Sequence, residues 1–244
     1  MKAVITAGGR IHGSYAAEAA TQIKALAVTH GSTMLQRAID ALRGCGVSRI
    51  AVVGEPPVRE ACAGKVEAFI DAARSGSQNV CRALRAWPED GEPLLYLTSD
   101  MPYISAQALG AFLKRTSVNA LSMPVAEYAQ FCERFPGAPP FGIDLGGERI
   151  VNGGAFHIPA GSAERLASFA AAFFDARKAP WRMASIAGAP LLLRFAVKRL
   201  RIADIEARAC RVLNVAASAI RNAPPELCYD ADTADEFQYA RDRW

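Results

Sequence analysis

The sequence has little histidine: three residues, His12, His30 and His157, scattered along 244 positions. A histidine-based catalytic relay or metal cluster therefore has little material. Each of the three is expected to be structural or exposed, because a general base must meet its reacting group in space. None of the six cysteines (Cys45, Cys62, Cys81, Cys132, Cys210, Cys228) forms a C-x-x-C pair, which argues against zinc-ribbon and thioredoxin-type chemistry. Most stand among alanine, valine and leucine, where a free thiol behaves as a small buried hydrophobe. Strong charge of one sign is missing too: the net charge is +4, too small for a nucleic-acid footprint. No apolar run approaches the roughly 20 residues needed to cross a bilayer. The first residues do not read as a secretory leader, and the expected compartment is the cytoplasm. Internal repeats, low-complexity linkers, a Walker loop and a G-x-G-x-x-G fingerprint are all absent. P-loop and Rossmann-dehydrogenase readings lose support accordingly.

What the chain does contain is 51% hydrophobic and 21% charged residues, the balance expected of a soluble globular protein. Its first hundred residues alternate short apolar runs with helical patterns. Strands are expected over 3–7, 49–53, 66–70 and 93–98, and helices over 33–43 and 58–63. Further helices should run from a cap at Ser77 to about Trp87, and onward from a cap at Ser105. This alternation indicates βαβ units and a mostly parallel sheet. Farther on, 120–125 reads as a strand, 135–140 as a loop and 149–158 as a strand pair broken by glycines. Residues 162–209 read as mainly helical, within which 191–202 is expected to be a buried helix with a basic edge rather than a membrane-surface segment. Short strands over 212–215 and 227–229 and a final helix over 232–242, with Asp232 a good N-cap, complete the reading. The expected architecture is three-layer α/β/α with a mostly parallel central sheet. It is taken as one domain with a nucleotide-binding half, 1–118, and an acceptor-binding half, 119–244, carrying a helical insertion at about 160–210.

In open parallel sheets ligands gather at the carboxyl ends of the strands. Three elements of the sequence fall just past such ends. The first strand runs into Ala7-Gly8-Gly9-Arg10. The glycines let backbone N–H groups approach an anion, Arg10 offers a planar fork of donors suited to phosphate, and Lys24 follows. Alone, such a turn is more readily an ordinary strand-to-helix bend with a surface arginine. The strand at 94–98 ends at Ser99-Asp100-Met101-Pro102, placing a carboxylate at a strand tip, where it suits Mg²⁺ or a turn. The third element is Tyr229-Asp230-Ala231-Asp232-Thr233. If it is extended, Asp230 and Asp232 point to opposite sides and only one of them is a ligand; spacing does not choose between them.

Taken together, these residues resemble the MobA-like NTP transferase group of the GT-A-fold nucleotidyltransferases, and the resemblance spans nearly the whole chain. Ala7-Gly8-Gly9 looks like the nucleotide-binding loop, and Lys24, followed by Gly31-Ser32-Thr33-Met34-Leu35, like the lysine and the helix start after it. Ser77-Gln78-Asn79 looks like the segment beside the base, and Asp100-Met101-Pro102 like the metal-binding Asp-x-Pro. Asn152-Gly153-Gly154 looks like the element near the acceptor, and Asp230-Ala231-Asp232-Thr233 like the closing acidic motif. Two departures stand out. The glycine loop is short, Arg10-Ile11-His12-Gly13, with an alanine-rich stretch after it, and Ile23 stands where the family usually has proline before the lysine.

The resemblance implies transfer of an NMP group from a nucleoside triphosphate to a phosphorylated small molecule, with release of pyrophosphate. Mg²⁺ would be held by Asp100 with Asp230 or Asp232, and Arg10, Lys24 and Asp100 would be catalytic. Ala7, Gly8, Gly9, Ser77, Asn79 and Asp100 would contact the nucleotide. Asn152, Gly153, Gly154 and Lys178 would face the acceptor, Lys178 as part of a basic cluster with Arg177 and Arg182. No nucleic-acid partner is implied, and a homodimer is compatible with the reading. Two alternatives stand beside it: a non-catalytic, regulatory nucleotide-binding protein, and a nucleotide-sugar glycosyltransferase of the same fold. The second is opposed by the Gly-Gly-Arg loop and its lysine, since a diphosphate-sugar donor needs no triphosphate grip.

Overall fold

A computed structural model describes residues 1–176, 186 and 188–243. Three apolar segments form the centre of the sheet: β1 (Lys2–Thr6), β4 (Arg49–Gly54) and β6 (Leu94–Thr98). β1 lies between the other two, parallel to both, with Thr6 level with Val53 on one side and Thr98 on the other. These strands lack polar alternation because both faces are covered. Ala3, Ile5, Ile50, Val52, Leu95 and Leu97 point into one layer of core. Val4, Ala51, Val53, Leu94 and Tyr96 point into the other.

Helix α2 (Met34–Gly44) covers the first face with Leu35, Ala38, Ile39 and Leu42, the i, i+3, i+4, i+7 stripe of an amphipathic helix. It follows a tight hairpin of β2 (Val28–Thr29) and β3 (Ser32–Thr33), whose turn puts His30 and Gly31 at positive φ. Thr33 caps the helix by accepting from Gln36 N–H. The second face is covered by α4 (Gly76–Leu84) and α7 (Ala163–Ala176), through Ala83, Leu84, Leu166 and Ala167. Shorter helices α1 (Gly13–Ala19), α3 (Pro56–Ala61), α5 (Ala106–Leu113) and α6 (Tyr128–Arg134) occupy the connections.

Beyond β6 the sheet becomes mixed. It continues through β10 (Ala155–Ile158), β7 (Ala120–Glu127), β9 (Glu148–Asn152) and β8 (Ile143–Leu145). β10 is antiparallel to both neighbours, so β7 runs the same way as β6. β11 (Ala216–Arg221) pairs in parallel with β7, and β5 (Ala68–Asp71) forms the opposite edge beside β4. The fold is therefore the expected mostly parallel α/β sheet flanked by helices.

Several local expectations are corrected. Ser75, not Ser77, caps α4 by accepting from Gln78 N–H, and Ser77 sits buried in the first turn. The strand expected at 66–70 is Ala68–Asp71. Residues 212–213 end helix α9 (Ile202–Leu213), and the strand begins only at Ala216, after Asn214 has turned the chain at positive φ. The 227–229 strand is instead a 3-10 turn, Pro225–Leu227, and the chain after it. Thr233, not Asp232, caps the last helix, α10 (Ala234–Asp242), in a reciprocal capping box with Glu236. The helix expected to be buried over 191–202 is shorter and open: α8 (Ala189–Ala196) has no buried residue, and only Leu200 and Ile202, beyond its end, enter the core. Of the six free thiols only Cys62 and Cys228 are fully buried, and Cys132 is exposed. Arg177, Lys178 and Arg182 lie outside the described residues.

Candidate functional site

The site begins where β1 runs out of apolar residues. Ala7 N–H still donates to Val53 carbonyl at 2.8 Å, so the chain leaves the sheet only at Gly8. A Cβ on Gly8 would lie 2.7 Å from the Asn79 amide nitrogen, so any side chain there would have to displace Asn79. Asn79 is buried and accepts from Ala73 N–H at 2.6 Å, which ties the loop after β5 to the glycine bend. Ser75 and Ser77 hydroxyls meet at 3.1 Å beside it.

After the bend the chain doubles back on itself. Ile11 N–H donates to Gln22 carbonyl at 3.0 Å and Lys24 N–H to Gly9 carbonyl at 3.0 Å, with Arg10 bridging Ile23. This pairing delivers Lys24 to the strand ends. Its ammonium is nearly buried and donates to Asp100 Oδ2 at 2.8 Å and to Asp232 Oδ1. Burial opposes the charge on Lys24, but Asp100 and Asp232 outweigh it and hold the ammonium above its ordinary pKa. For Asp100 burial likewise opposes ionisation, and the Lys24 charge and hydrogen bond overcome it, holding the carboxyl below its ordinary value.

The third carboxylate arrives from the far end of the sequence. Ala231 N–H donates to Asp100 carbonyl at 2.9 Å, and Tyr15 hydroxyl donates to Ala231 carbonyl at 2.7 Å. Tyr15 is itself stacked on Phe237 of α10, with ring centroids 5.2 Å apart. The 230–232 segment is pinned from both sides and is not a strand, so the alternation that would separate its two aspartates does not operate. Asp232 reaches Lys24, and Asp230 lies against the same group. Burial first, then the charges of Asp100 and Asp232, push the Asp230 carboxyl well above the usual carboxylate range.

Asp230 Oδ1 is buried without a hydrogen-bond partner; Asp100 Oδ1 and Thr98 Oγ1 are buried without a well-aligned one, although Thr98 lies close enough to help keep Asp100 ionised. Buried acceptors left unpaired are costly, and a divalent cation would satisfy them. Among the described residues no three His, Cys, Asp or Glu side chains converge as a complete metal cage. Mg²⁺ needs only one or two protein carboxylates, the rest of its shell being water and substrate phosphate. The donor set fits that requirement, with the Lys24 ammonium now supplying positive charge between Asp100 and Asp232.

Gly153 and Gly154 close the site against β6 and β7. A Cβ on Gly153 would be 2.7 Å from Pro124 Cγ and inside the contact distance of Leu227 carbonyl. One on Gly154 would collide with Thr98 Oγ1 and lie 3.4 Å from Asp230 Oδ1. Thr98 N–H donates to Gly154 carbonyl at 2.9 Å. Asn152 ends β9 with an exposed side chain.

Arg10 does not join the cluster. Its guanidinium makes a two-pronged ion pair with Glu55, at 2.9 and 2.5 Å, and also reaches Gln22. Hydrogen bonding and charge raise the pKa of Arg10 and lower that of Glu55. Glu55 follows β4 directly, at the same end of the sheet, and sequence reasoning missed it although Gly54-Glu55-Pro56 marks a strand end. Tyr15 and Thr98 were missed as well. The histidines are placed as expected: His157 is buried against Ala120 carbonyl, and His30 lies against Ala240 carbonyl. A groove of about 900 Å³ runs along α4 past Ser75, Ser77 and Arg82, and none of Lys24, Asp100 or Asp230 lines it.

A search among functionally curated proteins finds no relative by sequence. Among solved structures, a hypothetical transferase from Thermus thermophilus is 25% identical and superposes with a TM-score of 0.82 over 97% of this chain and 100% of its own. A nucleotidyl transferase from Methanothermobacter is 17% identical, with a TM-score of 0.55 over 99% of this chain and 95% of its own. A Mycobacterium tuberculosis protein solved with manganese is 12% identical, with a TM-score of 0.54 over 100% of this chain and 98% of its own. The model of the MobA-like NTP transferase domain matches residues 3–242. With this sheet, these strand-end residues and that match, the chain belongs to the MobA-like NTP transferase family.

Proposed function

We propose that the protein transfers an NMP group from a nucleoside triphosphate to the phosphate of a small-molecule acceptor, releasing pyrophosphate, with Mg²⁺ as the bound cation. The observation that carries this reading is the meeting of Lys24 with Asp100, Asp230 and Asp232 beside the Gly8–Gly9 bend. An acceptor phosphate oxygen attacks the α-phosphorus; the new P–O bond forms as the bond to the β-phosphate oxygen breaks. That nucleophile is anionic at neutral pH, so no general base is needed, in keeping with the structural use of His30 and His157. When bound, the cation stabilises charge on the α-phosphoryl and pyrophosphate oxygens, and Asp100 with Asp230 or Asp232 would hold it.

The chain's own residues supply the rest. Gly8 and Gly9 offer backbone N–H groups to the phosphates, and Lys24 follows the charge that grows on the leaving group. Arg10 acts on the phosphates by exchanging Glu55 for them. Ala7, Ser77 and Asn79 border the nucleoside. Asn152, Gly153 and Gly154 form the acceptor side. The Arg10–Glu55 pair also favours a second reading, a nucleotide-binding protein that does not turn over.

Pyrophosphate release with each of the four NTPs, Mg²⁺ and a panel of sugar phosphates, phosphoalcohols and pterin acceptors separates the two. Asp100→Asn is expected to lower turnover by about a hundredfold or more, the scale of losing a preorganised charge contact, while its melting curve stays cooperative. Near-normal turnover in that variant rejects the proposed role of Asp100. NTP binding without any pyrophosphate release selects the second reading.

A further inference from the structure

We infer that the surface around α8 docks on an anionic phospholipid membrane. α8 and the turn after it expose Leu193, Phe195 and Val197, at 66%, 54% and 53%, and no residue of the helix is buried. Isolated exposed apolar residues are ordinary, but three within five positions on one short helix and its turn are not. The charge around them is one-sided. Between residues 188 and 201 the sequence holds four Lys or Arg (Arg194, Lys198, Arg199, Arg201) and no Asp or Glu.

The structure shows where part of this charge goes. Leu193, Val197, Arg199 and Arg201 line a concavity of about 600 Å³. Asp204 at its edge is paired with Arg194 and also accepts from Arg201 N–H. Basic groups surrounding exposed Leu and Phe side chains are the pattern of segments that lie in the headgroup layer of a bilayer.

Charge complementarity selects the occupant. A nucleic-acid backbone would satisfy the arginines but gain nothing from three exposed apolar side chains. A second copy of this chain would bring like charge onto like charge. An anionic bilayer satisfies both kinds of group. The contact is peripheral, since among the described residues no helix is long and apolar enough to cross a membrane.

The placement gives the contact a direction. Glu127 of β7 pairs with Ile150 of β9, and the β9 chain then leads back to the turn at Gly146 and Gly147. That turn thus extends past the carboxyl end of β7, the sheet end that carries the glycine bend and Asp100. Gly146 packs against Leu200, directly after α8. The docking surface stands on the same rim as the candidate site, and its failure in test would leave the reading of that site untouched.

The test is flotation of the purified chain with vesicles of phosphatidylglycerol and phosphatidylcholine, against vesicles of phosphatidylcholine alone. Binding to the anionic vesicles, little to the neutral ones, and weakening by salt are expected. The double variant Arg199→Gln/Arg201→Gln should bind about thirtyfold more weakly, from about fivefold for each basic group near the surface. Leu193→Ser should weaken binding also. A Lys65→Gln/Lys114→Gln variant, equal in charge change and exposed elsewhere, should bind as wild type. All three alter exposed side chains and should keep the wild-type melting temperature. Equal binding to both vesicle types, no binding, or equal weakening in the control pair overturns the inference. So does a change of mass in lipid-free sedimentation of Leu193→Ser, which would assign the face to a second copy.

Discussion

Replacing Lys24 by methionine keeps the length of the side chain and deletes one charge from a group of three carboxylates. At 2.8 Å and an effective dielectric constant of about 20, the Lys24–Asp100 attraction is about 6 kcal/mol. Most of that offsets the desolvation of two nearly buried ions, so the pair itself contributes little. Removing one partner is a different matter, because Asp100 is then left buried and unpaired, and such losses run about 3–5 kcal/mol. The lower half of that range is expected here, since Asp100 can take up a proton and Asp232, 70% exposed, is cushioned by water. For a chain of this size about 3 kcal/mol lowers the melting temperature by roughly 6–12 °C. Millimolar MgCl₂ or MnCl₂ should then return more stability to the variant than to wild type, because the cation enters a site from which the competing ammonium is gone; saturation at a hundred times Kd is worth about 2.7 kcal/mol. The assay is thermal denaturation in EDTA and in each metal. A variant as stable as wild type in EDTA, or an equal metal shift in both proteins, refutes the claim that Lys24 and the cation share one nest of oxygens.

Asp230 offers a test of opposite sign. Its folded pKa is raised, so the native state keeps a proton that the unfolded chain gives up, and its contribution to stability falls as pH climbs from the unfolded value toward the folded one. Asp230→Asn should therefore stabilise the metal-free protein near neutral pH and flatten that fall, which urea titration across pH checks; loss of the metal-induced shift in this variant would assign Asp230 over Asp232 as the second ligand. Asp90, bound by Lys2 and Arg49, has the reverse behaviour: its pKa is depressed by those hydrogen bonds, so its stabilisation is present above the unfolded carboxylate pKa and is lost as pH falls through the folded one. Asp90→Asn should shrink the loss of stability on acidification, read from melting temperatures below about pH 4. Gly154→Ala forces a methyl group into Thr98 Oγ1 and should cost about 1–3 kcal/mol by overpacking, with a parallel loss of nucleotide or metal response.

Most of the sheet was legible because its signals are local. Apolar runs between glycines and capping residues marked β1, β4 and β6, and the strand-end rule then gathered Gly8, Gly9 and Asp100. Lys24 could be suspected from order along the chain but not placed, since its position depends on the doubling back of 9–11 onto 22–24. Arg10 was assigned to phosphate because nothing within reach in sequence opposed it; Glu55, 45 positions away, does so in the fold. The 230–232 segment was treated as a choice between two aspartates on the premise of an extended strand. Its conformation is fixed instead by Tyr15 and the Asp100 carbonyl, partners no periodicity reveals. The same limit explains α8, whose apolar and basic pattern favours a covered helix although the fold leaves it open.

The bond from Ala231 to the Asp100 carbonyl, with Tyr15 clasping the same peptide, has a consequence for biosynthesis. A growing polypeptide that has cleared the ribosome only as far as residue 225 already owns its glycine bend, its lysine and its first carboxylate, yet lacks the two acids that complete the group. The excess of negative charge over the ammonium is reached only when the final stretch arrives and is clamped. Premature occupation by a cation on a half-made chain is thereby disfavoured, and a cut just ahead of Tyr229 would undo the centre while sparing the central strands.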